Sequence, residues 1–325
     1  MRAALCREIG ELSGVTIGEL DPPTAGKGQV VIDVKACAVN FPDVLMVQGK
    51  YQERPPLPFA PGQEVAGLIS AVGEGVEGLA VGDRVFAGTG VGGMAEQVAT
   101  RAGSVYPLPD GVDFATGSAF LTTYGTSWYA LAERGRLQAG ETLLVLGAGG
   151  GVGLAAVDIG RALGARVLAG ATSPEKLAQA TRVGAAAVVD YSTDDLRSAI
   201  TAFTDGRGAD VVYDPVGGAF SEQALRSTAW EGRFLVIGFA AGEIPKIPLN
   251  LALLKGCSIV GVFLGSRSAR DPKGHRDSML ELIGHWERGE LSPYVSQAFP
   301  LEQAGEALRV LADREAIGKV VVTVP

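Results

Sequence analysis

The feature that most constrains the fold is an alternation of short apolar and longer amphipathic segments between residues 142 and 263. The apolar segments predict strands at residues 142–146, 166–169, 187–191, 210–213, 233–237 and 258–263. The intervening segments predict helices at residues 152–163, 174–183, 194–203 and 221–230. Such alternation is typical of a parallel sheet with helices on both faces. We therefore predict an α/β unit with a doubly wound, six-stranded parallel sheet.

A glycine-rich segment joins the first predicted strand to the first predicted helix. Residues 147–153 read Gly-Ala-Gly-Gly-Gly-Val-Gly, so Ala148 takes the first position of an A-x-G-x-x-G pattern. Small residues let backbone N–H groups approach a pyrophosphate, whose charge the helix N-terminus stabilises. A purely structural tight turn is the alternative, but the position between strand and helix favours a dinucleotide (Rossmann) site. The predicted contacts are Gly150, Gly151, Val152 and Gly153.

The end of the second predicted strand bears on the choice of cofactor. NAD-specific sites place Asp or Glu there, about 20 residues beyond the first glycine. Here residues 169–172 contain no carboxylate, and Ser173 and Lys176 follow at once. A hydroxyl, a cation and helix N–H groups favour a 2′-phosphate, and hence NADPH. Ser173 can also cap the next helix with Lys176 in solvent, and the two roles are compatible. Glu175 is expected to point away from the phosphate.

The segments that flank this region have a different pattern. Strands predicted at residues 29–36 and 65–72 are separated by glycine turns, which favours a compact, partly open barrel. Further helices are predicted at residues 126–132, 275–288 and 301–312, and a last strand at residues 319–324. That strand comes too late to extend the six-stranded sheet, so we expect it to return to the barrel. We therefore predict a dinucleotide-binding domain of residues 122–265 inserted into a substrate domain of residues 1–121 and 266–325.

Length and composition exclude several other classes of protein. A chain of 325 residues exceeds what one hydrophobic core usually serves, which favours two domains. The net charge of −8 argues against a large nucleic-acid-binding surface. No apolar run reaches the roughly 18 residues of a membrane span, and charge comes too early at the N-terminus for a secretory signal. Three scattered cysteines form no disulfide framework, so we expect a cytoplasmic protein.

Six segments together resemble a known superfamily over nearly the whole chain. They lie at residues 39–43, 61–67, 81–85, 149–153, 173–176 and 317–321. The chain resembles the medium-chain dehydrogenases/reductases, and within them the zinc-free quinone oxidoreductase (zeta-crystallin-like) family. This resemblance implies a Rossmann domain inserted into a β-rich, GroES-like domain.

The zinc ligands of related alcohol dehydrogenases are missing from this sequence. Those enzymes bind a catalytic zinc through Cys and His, including the His of a Gly-His-Glu segment. The matching segment here is Gly62-Gln63-Glu64, and the only histidines, His275 and His285, lie near the C-terminus. Zinc requires three or four suitable ligands, so we predict no metal.

The resemblance implies hydride transfer from NADPH to a quinone or another conjugated carbonyl. Such an acceptor is already electrophilic, so the protein supplies orientation, an apolar slot and a donor for the developing negative charge. The family residues that match Asn40, Asp43 and Tyr51 lie near the nicotinamide, and we predict these three as catalytic. The further predicted cofactor contacts are Thr126, Ser173, Lys176, Tyr191, Gly238, Phe239, Phe263 and Lys319.

Each predicted catalytic residue also has a structural interpretation. Asn40 can hold a turn before Pro42, and Asp43 can cap a helix over residues 44–48. Tyr51 can pack under the loop of residues 52–58. Cys37 is expected to be a core residue.

Two other functions stay open at this point. The first is an NADPH-dependent reductase of 2-enoyl-CoA thioesters or enones. The second is an NADPH-binding protein without enzymatic activity, either crystallin-like or RNA-binding, which the acidic charge disfavours. By analogy with the superfamily, in which strands near the sixth strand often pair across a two-fold axis, we expect a homodimer.

Overall fold

A computed structural model describes all 325 residues of the chain. The strands are β1 (Arg2–Cys6), β2 (Val15–Glu19), β3 (Gln29–Ala38), β4 (Glu64–Val72), β5 (Arg84–Gly88), β6 (Gln97–Arg101), β7 (Val105–Pro107), β8 (Thr142–Val145), β9 (Arg166–Ala171), β10 (Ala187–Asp190), β11 (Ala209–Asp214), β12 (Thr228–Val236), β13 (Ser258–Gly261), β14 (Val295–Pro300) and β15 (Lys319–Thr323). The helices are α1 (Phe41–Val47), α2 (Phe114–Ser118), α3 (Leu121–Trp128), α4 (Gly151–Ala162), α5 (Pro174–Val183), α6 (Leu196–Phe203), α7 (Ala219–Arg226), α8 (Asn250–Lys255), α9 (Leu264–Arg270), α10 (Pro272–Glu287) and α11 (Ala304–Ala312). No helix is long and apolar enough to cross a membrane.

Contacts within the chain define two compact units. The first consists of Met1–Thr122 and Pro293–Pro325, and the second of Thr123–Ser292. The second unit extends further than residues 122–265, the predicted dinucleotide-binding domain, because residues after α10 pack on α4. The Ser292 N–H donates to Asp158 at 2.6 Å, and Arg161 donates to the Glu290 carbonyl oxygen. These contacts involve Glu290 and Ser292, which follow α10 and give no local sequence signal for packing on α4, so the sequence alone could not place the boundary.

The first unit is built on a seven-stranded sheet. Its strand order is β14-β15-β3-β4-β5-β7, with β6 also paired to β3. The last strand, β15, lies antiparallel to β3, with Val322 opposite Cys37. It therefore returns to the N-terminal sheet, as the sequence predicts. The apolar side chains of these strands form one buried core with those of α1 and α11.

The second unit contains the predicted doubly wound sheet. Its six strands follow the order β10-β9-β8-β11-β12-β13 and are all parallel. The central strand β8 is buried along its whole length, which explains its continuous apolar run. The fold class predicted from the sequence is confirmed.

One predicted helix in this unit is too long. The sequence pattern favours a helix over residues 221–230, but α7 ends at Arg226 and β12 begins at Thr228. Thr228 pairs with Ala209, and the register then shifts before Val211 pairs with Arg233. Tertiary pairing of these residues with β11 overrides their local helical preference.

The carboxylate of Asp158 accepts hydrogen bonds from residues near both ends of the second unit. The buried side chain of Asp158, on α4, accepts a hydrogen bond from the Tyr124 hydroxyl at 2.8 Å through Oδ2. The same oxygen accepts the Ser292 N–H at 2.6 Å, while Oδ1 pairs with Arg161 at 2.7 Å. The first and last turns of this unit are therefore fixed to the same helix.

Candidate cofactor site and polar cluster

The glycine-rich segment forms a sharp turn between β8 and α4. Gly147 has a φ of 61°, a left-handed conformation that glycine adopts without strain. Gly150 is the N-cap of α4, which begins at Gly151. The first N–H groups of a helix have no acceptor within it. This end of α4 is therefore suited to bind phosphate oxygens.

Two glycines of this turn have different structural roles. A Cβ added at Gly153 would lie 2.2 Å from the Gly147 carbonyl oxygen, so only glycine lets α4 begin this close to the turn. A Cβ added at Gly150 would meet nothing closer than that same oxygen, at 3.6 Å. The space beside Gly150 is thus left open by the protein. Contact of this turn with a pyrophosphate stays a prediction from the sequence.

The first turn of α5 lies against the glycine turn. The Ser173 hydroxyl caps α5 by accepting the Lys176 N–H at 3.3 Å. The aliphatic stem of Lys176 covers Gly149, where an added Cβ would lie 2.5 Å from the stem. The structure therefore brings the predicted 2′-phosphate residues and the predicted pyrophosphate turn together.

Glu175 does not point away from this position. Hydrogen bonds from its own backbone N–H and from the Ser173 side chain lower the pKa of Glu175. The Glu175 side chain is exposed. The expectation for Glu175 is corrected to a hydrogen-bonded neighbour of Ser173.

Tyr191 supports the glycine turn from within the unit. Its hydroxyl accepts the Gly147 N–H at 3.3 Å, and its ring packs on Gly170 and Phe220. Burial raises the pKa of Tyr191, so the hydroxyl stays protonated at neutral pH. Tyr191 therefore fixes the shape of the turn. Its contact with the adenosine phosphate stays a prediction.

Helix α3 contacts the first turn of α4. The Ser127 hydroxyl donates to the Val152 carbonyl oxygen at 3.0 Å and lies 2.9 Å from the Tyr213 hydroxyl. The predicted cofactor residue Thr126 is the half-buried neighbour of Ser127 on the same helix. Sequence analysis did not identify Ser127, because a single serine in a helix gives no local signal.

The remaining predicted cofactor contacts lie at the carboxyl ends of the strands. Gly238 and Phe239 follow β12, and Phe239 packs on Gly217, which follows β11. Phe263 was expected to end the sixth strand. However, β13 ends at Gly261, and Phe263 is the N-cap of α9 with a largely exposed side chain.

In the first unit, two of the three predicted catalytic residues, Asn40 and Asp43, belong to one buried polar cluster, and Tyr51 is only partly buried. Asn40 and Asp43 form a reciprocal cap at the start of α1, in which Asp43 accepts the Asn40 N–H at 2.8 Å. Asp43 also accepts the Gly62 N–H at 3.0 Å. Asp43 is the third residue of α1, whose N-cap is Asn40, so it does not cap a helix that begins at residue 44. It instead stabilises the first turn of α1 and ties that helix to the segment before β4.

Burial governs the ionisation of Asp43. Desolvation raises its pKa from 3.8 to about 7, against the opposing effects of two backbone hydrogen bonds and the Lys319 charge. Tyr51 is partly buried, which raises its pKa, and its side chain is hydrogen-bonded to Gln63. Asn40, Asp43 and Tyr51 thus lie around the segment Gly62–Gln63–Glu64.

The structure corrects the expectation for Lys319. Its ammonium is buried and donates to the Val39 carbonyl oxygen at 3.1 Å, to Asn40 Oδ1 at 2.7 Å and to Glu64 Oε1 at 3.0 Å. An ammonium has three N–H donors, so none remains for a cofactor. Lys319 is therefore a partner of the polar cluster. Glu64 also belongs to this cluster, although the sequence analysis did not include it among the site residues.

Two protein-family models match the chain. One, described as an alcohol dehydrogenase GroES-like domain, matches residues 26–110, and the other, described as a zinc-binding dehydrogenase, matches residues 151–281. The second description does not fit the residues present. No group of three or more His, Cys, Asp or Glu side chains is arranged to hold a metal ion. The buried Cys37 lies near Asp43 and Glu64, but desolvation raises the pKa of its thiol well above the ordinary value.

Two relatives match over almost the full chain. The quinone oxidoreductase-like protein 2 homolog of Nematostella vectensis is 39% identical over 324 residues, covering 99% of this chain and 88% of that protein. The quinone oxidoreductase-like protein 2 of Mus musculus is 38% identical over 323 residues, covering 99% of this chain and 92% of that protein.

Solved structures agree with these relatives. A quinone oxidoreductase of Pseudomonas syringae pv. Tomato DC3000 has a TM-score of 0.91 and 30% identity, with 99% of each chain covered. The quinone oxidoreductase of Escherichia coli complexed with NADPH has a TM-score of 0.90 and 25% identity, with 99% of this chain and 100% of that chain covered. The CurK enoyl reductase has a TM-score of 0.88 and 28% identity, covering 100% of this chain and 99% of that chain. The chain is therefore an oxidoreductase that belongs to the quinone oxidoreductase family of the medium-chain dehydrogenases/reductases.

Proposed function

We propose that this protein transfers a hydride from NADPH to a quinone or a related conjugated carbonyl without the help of a metal. The observation that carries the cofactor assignment is the packing of the Lys176 stem over Gly149, beside the N-terminus of α4. It places a cation and a helix N-terminus next to each other, and both favour phosphate groups. The NADPH complex of the Escherichia coli enzyme, which shares the fold, supports the same choice.

The second unit supplies the residues that would hold the cofactor. The turn of Gly150, Gly151, Val152 and Gly153 would bind the pyrophosphate, and Ser173 and Lys176 the 2′-phosphate. We place Thr126, Tyr191, Gly238, Phe239 and Phe263 around the rest of the molecule. When bound, the nicotinamide ring of NADPH supplies the hydride.

The first unit would act on the acceptor. As the hydride adds to a conjugated carbonyl, negative charge develops on the oxygen and a proton must be gained. A fixed N–H donor stabilises that charge, and we assign this role to Asn40. Asp43 holds the N-terminus of α1, and Tyr51 would contact the acceptor. The proposed acceptor is already electrophilic and needs no Lewis acid.

The test is NADPH oxidation with 1,4-benzoquinone, a simple enone and crotonyl-CoA, each offered separately, with NADH as the comparison. We expect quinone turnover with NADPH and little with NADH. In Lys176→Met, which keeps the stem over Gly149, the KM for NADPH should rise about 10- to 100-fold, since a charge-assisted hydrogen bond contributes roughly 1.5–3 kcal/mol. The KM for NADH should not change.

Lys273→Met is the matched control for this test. Lys273 lies on α10 of the same unit, and its exposed ammonium pairs with Asp277. Its substitution should leave both KM values unchanged. Equal use of NADPH and NADH by the unaltered protein would contradict the 2′-phosphate site.

A second candidate is reduction of 2-enoyl-CoA or other enones. The observation that favours it is the likeness to the CurK enoyl reductase over the whole chain. The same hydride and the same N–H donor would serve a conjugated thioester. Faster turnover of crotonyl-CoA than of the quinone would support this second function. Tight NADPH binding without turnover of any acceptor would instead favour a binding protein without enzymatic activity.

We also propose that the protein is a homodimer. Strand β13 is an edge of the parallel sheet and pairs with β12 alone. Large apolar side chains lie exposed on and beside this edge: Trp230, Leu249, Leu253, Leu254 and Ile259. Such a patch is typical of an interface, and pairing of β13 with its two-fold copy would cover it. Cytoplasmic location and the lack of a nucleic-acid partner stay predictions from the sequence.

A further inference from the structure

The carboxamide of Asn40 is held in one orientation by two oppositely charged partners. Its Oδ1 accepts from the Lys319 ammonium at 2.7 Å, and its Nδ2 donates to Glu64 Oε1 at 2.8 Å. A lysine can only donate and a carboxylate can only accept, so a flipped amide would face both partners with the wrong group. The assignment of oxygen and nitrogen in this side chain is therefore fixed by chemistry.

Both charged partners are fully engaged by the protein. Glu64 Oε1 accepts from Asn40 and Lys319, and Oε2 accepts the Thr122 N–H at 2.9 Å. Lys319 uses its third donor on the Val39 carbonyl oxygen at 3.1 Å. Glu64 and Lys319 are exposed by only 1% and 5%, respectively, so neither has a free group for a substrate.

Asn40 keeps one unused donor. Its Nδ2 carries two N–H bonds, and Glu64 is the one protein acceptor that Nδ2 contacts. The second N–H therefore has no acceptor within the protein. A buried ion pair often stabilises a fold less than apolar residues of similar volume would. Stability alone therefore does not explain why Lys319 and Glu64 are charged.

We propose that Glu64 and Lys319 are positioning residues, which fix the Asn40 carboxamide so that its second N–H is presented to the acceptor oxygen. This inference rests on the proposed function, in which that oxygen gains negative charge. A donor held in place before the reaction stabilises such charge without reorganisation. The pair would thus provide fixed polarity in a chain that lacks a metal ligand set.

The variants that test this are Glu64→Gln, Lys319→Met and the double variant with both changes. In Glu64→Gln the new carboxamide would offer one oxygen and one N–H₂ group to three donors, so one contact must break. Each single variant should melt at a lower temperature and lose 10- to 1,000-fold in kcat with the quinone, up to the range seen on removal of an oxyanion donor. The double variant restores charge balance, so we expect its melting temperature to exceed that of either single variant.

The kinetics of the double variant separate positioning from stability. Positioning predicts that its kcat stays as low as in the single variants, while the KM for NADPH is unchanged. A purely structural pair predicts that kcat recovers with the melting temperature, and that result would overturn the inference. Glu96→Gln is the control, since it breaks the partly exposed Arg2–Glu96 pair of the same unit and should leave kcat unchanged.

A second measurement does not depend on turnover. The side-chain amide resonances of Asn40, identified by their loss in Asn40→Ala, should exchange slowly in the unaltered protein and rapidly in Glu64→Gln. Slow exchange in both proteins would overturn the inference even if no acceptor were reduced. The unaltered protein could show this difference in exchange and yet reduce no acceptor. That result would contradict the proposed function but still support the positioning of Asn40.

Discussion

At the scale of single residues, Asp43 combines full burial with a pKa of about 7. The charged and titratable groups that act on it are Lys319, Glu64, Cys37 and Tyr51. An ordinary aspartate, as in the unfolded chain, ionises near 3.8. Between these two values the folded protein binds more protons than the unfolded chain does. The contribution of Asp43 to the free energy of unfolding therefore decreases as the pH rises.

Asp43→Asn tests this sign. One oxygen must then serve the N–H groups of Asn40 and Gly62, so the variant should lose about 1–3 kcal/mol of stability. The difference in melting temperature between the unaltered protein and the variant should shrink as the pH rises from about 4 to about 7. Thermal unfolding across this range measures it. A difference that stays constant or grows with pH would show that Asp43 is ionised throughout.

At the scale of secondary-structure elements, two glycines at the start of α4 have different roles. Gly153 permits close packing within the protein, and Gly150 leaves space for a ligand. In Gly153→Ala the new methyl group would collide with the Gly147 carbonyl oxygen, so we expect a loss of about 1–3 kcal/mol and a lower melting temperature. In Gly150→Ala the methyl group fits the protein at 3.6 Å but occupies the open side of the turn. We expect normal stability and at least about tenfold weaker NADPH binding.

Thermal unfolding and a fluorescence titration with NADPH measure the two effects separately. Gly88→Ala, a glycine of β5 with no atom within 4 Å of an added Cβ, is the control for both measurements. Unchanged NADPH affinity in Gly150→Ala would show that the pyrophosphate does not bind at this turn.

The elements that the sequence predicts correctly are those whose signals are local. Buried parallel strands are continuously apolar, and the glycine turn adjoins one of them, so the six-stranded sheet and the shape of the turn follow from short segments. The capping by Ser173 follows in the same way, because its partner is only three residues away.

The polar cluster could not be predicted, because its partners are far apart in the chain. Lys319 and Glu64 are separated by 255 residues. Glu64 is the first residue of β4 and Lys319 the first residue of β15, and both strands are otherwise largely apolar. A charge in this position indicates that it has a buried partner, but the sequence does not show which residue that partner is. The prediction of a helix over residues 221–230 is wrong at its C-terminal end for a related reason. The last residues of that range belong to β12, which pairs with β11.

At the scale of the whole molecule, the exposed edge strand β13 predicts the state of assembly. Lysine on an edge strand opposes pairing with another copy. Ile259→Lys should therefore convert the dimer to a monomer, measured by sedimentation equilibrium. Val81→Lys, which changes another exposed apolar residue in the first unit, should leave the dimer intact. A monomeric unaltered protein, or a dimeric Ile259→Lys variant, would exclude assembly through this edge.

The single oxygen of Asp158 that receives both the Tyr124 hydroxyl and the Ser292 N–H has a further consequence. A unit whose two ends are fixed at one atom can be inserted into, or removed from, a surrounding chain without stretching either connection. Insertion of a domain is tolerated best when its ends lie close together. Residues 123–292 therefore form a unit whose two ends are held close together by Asp158.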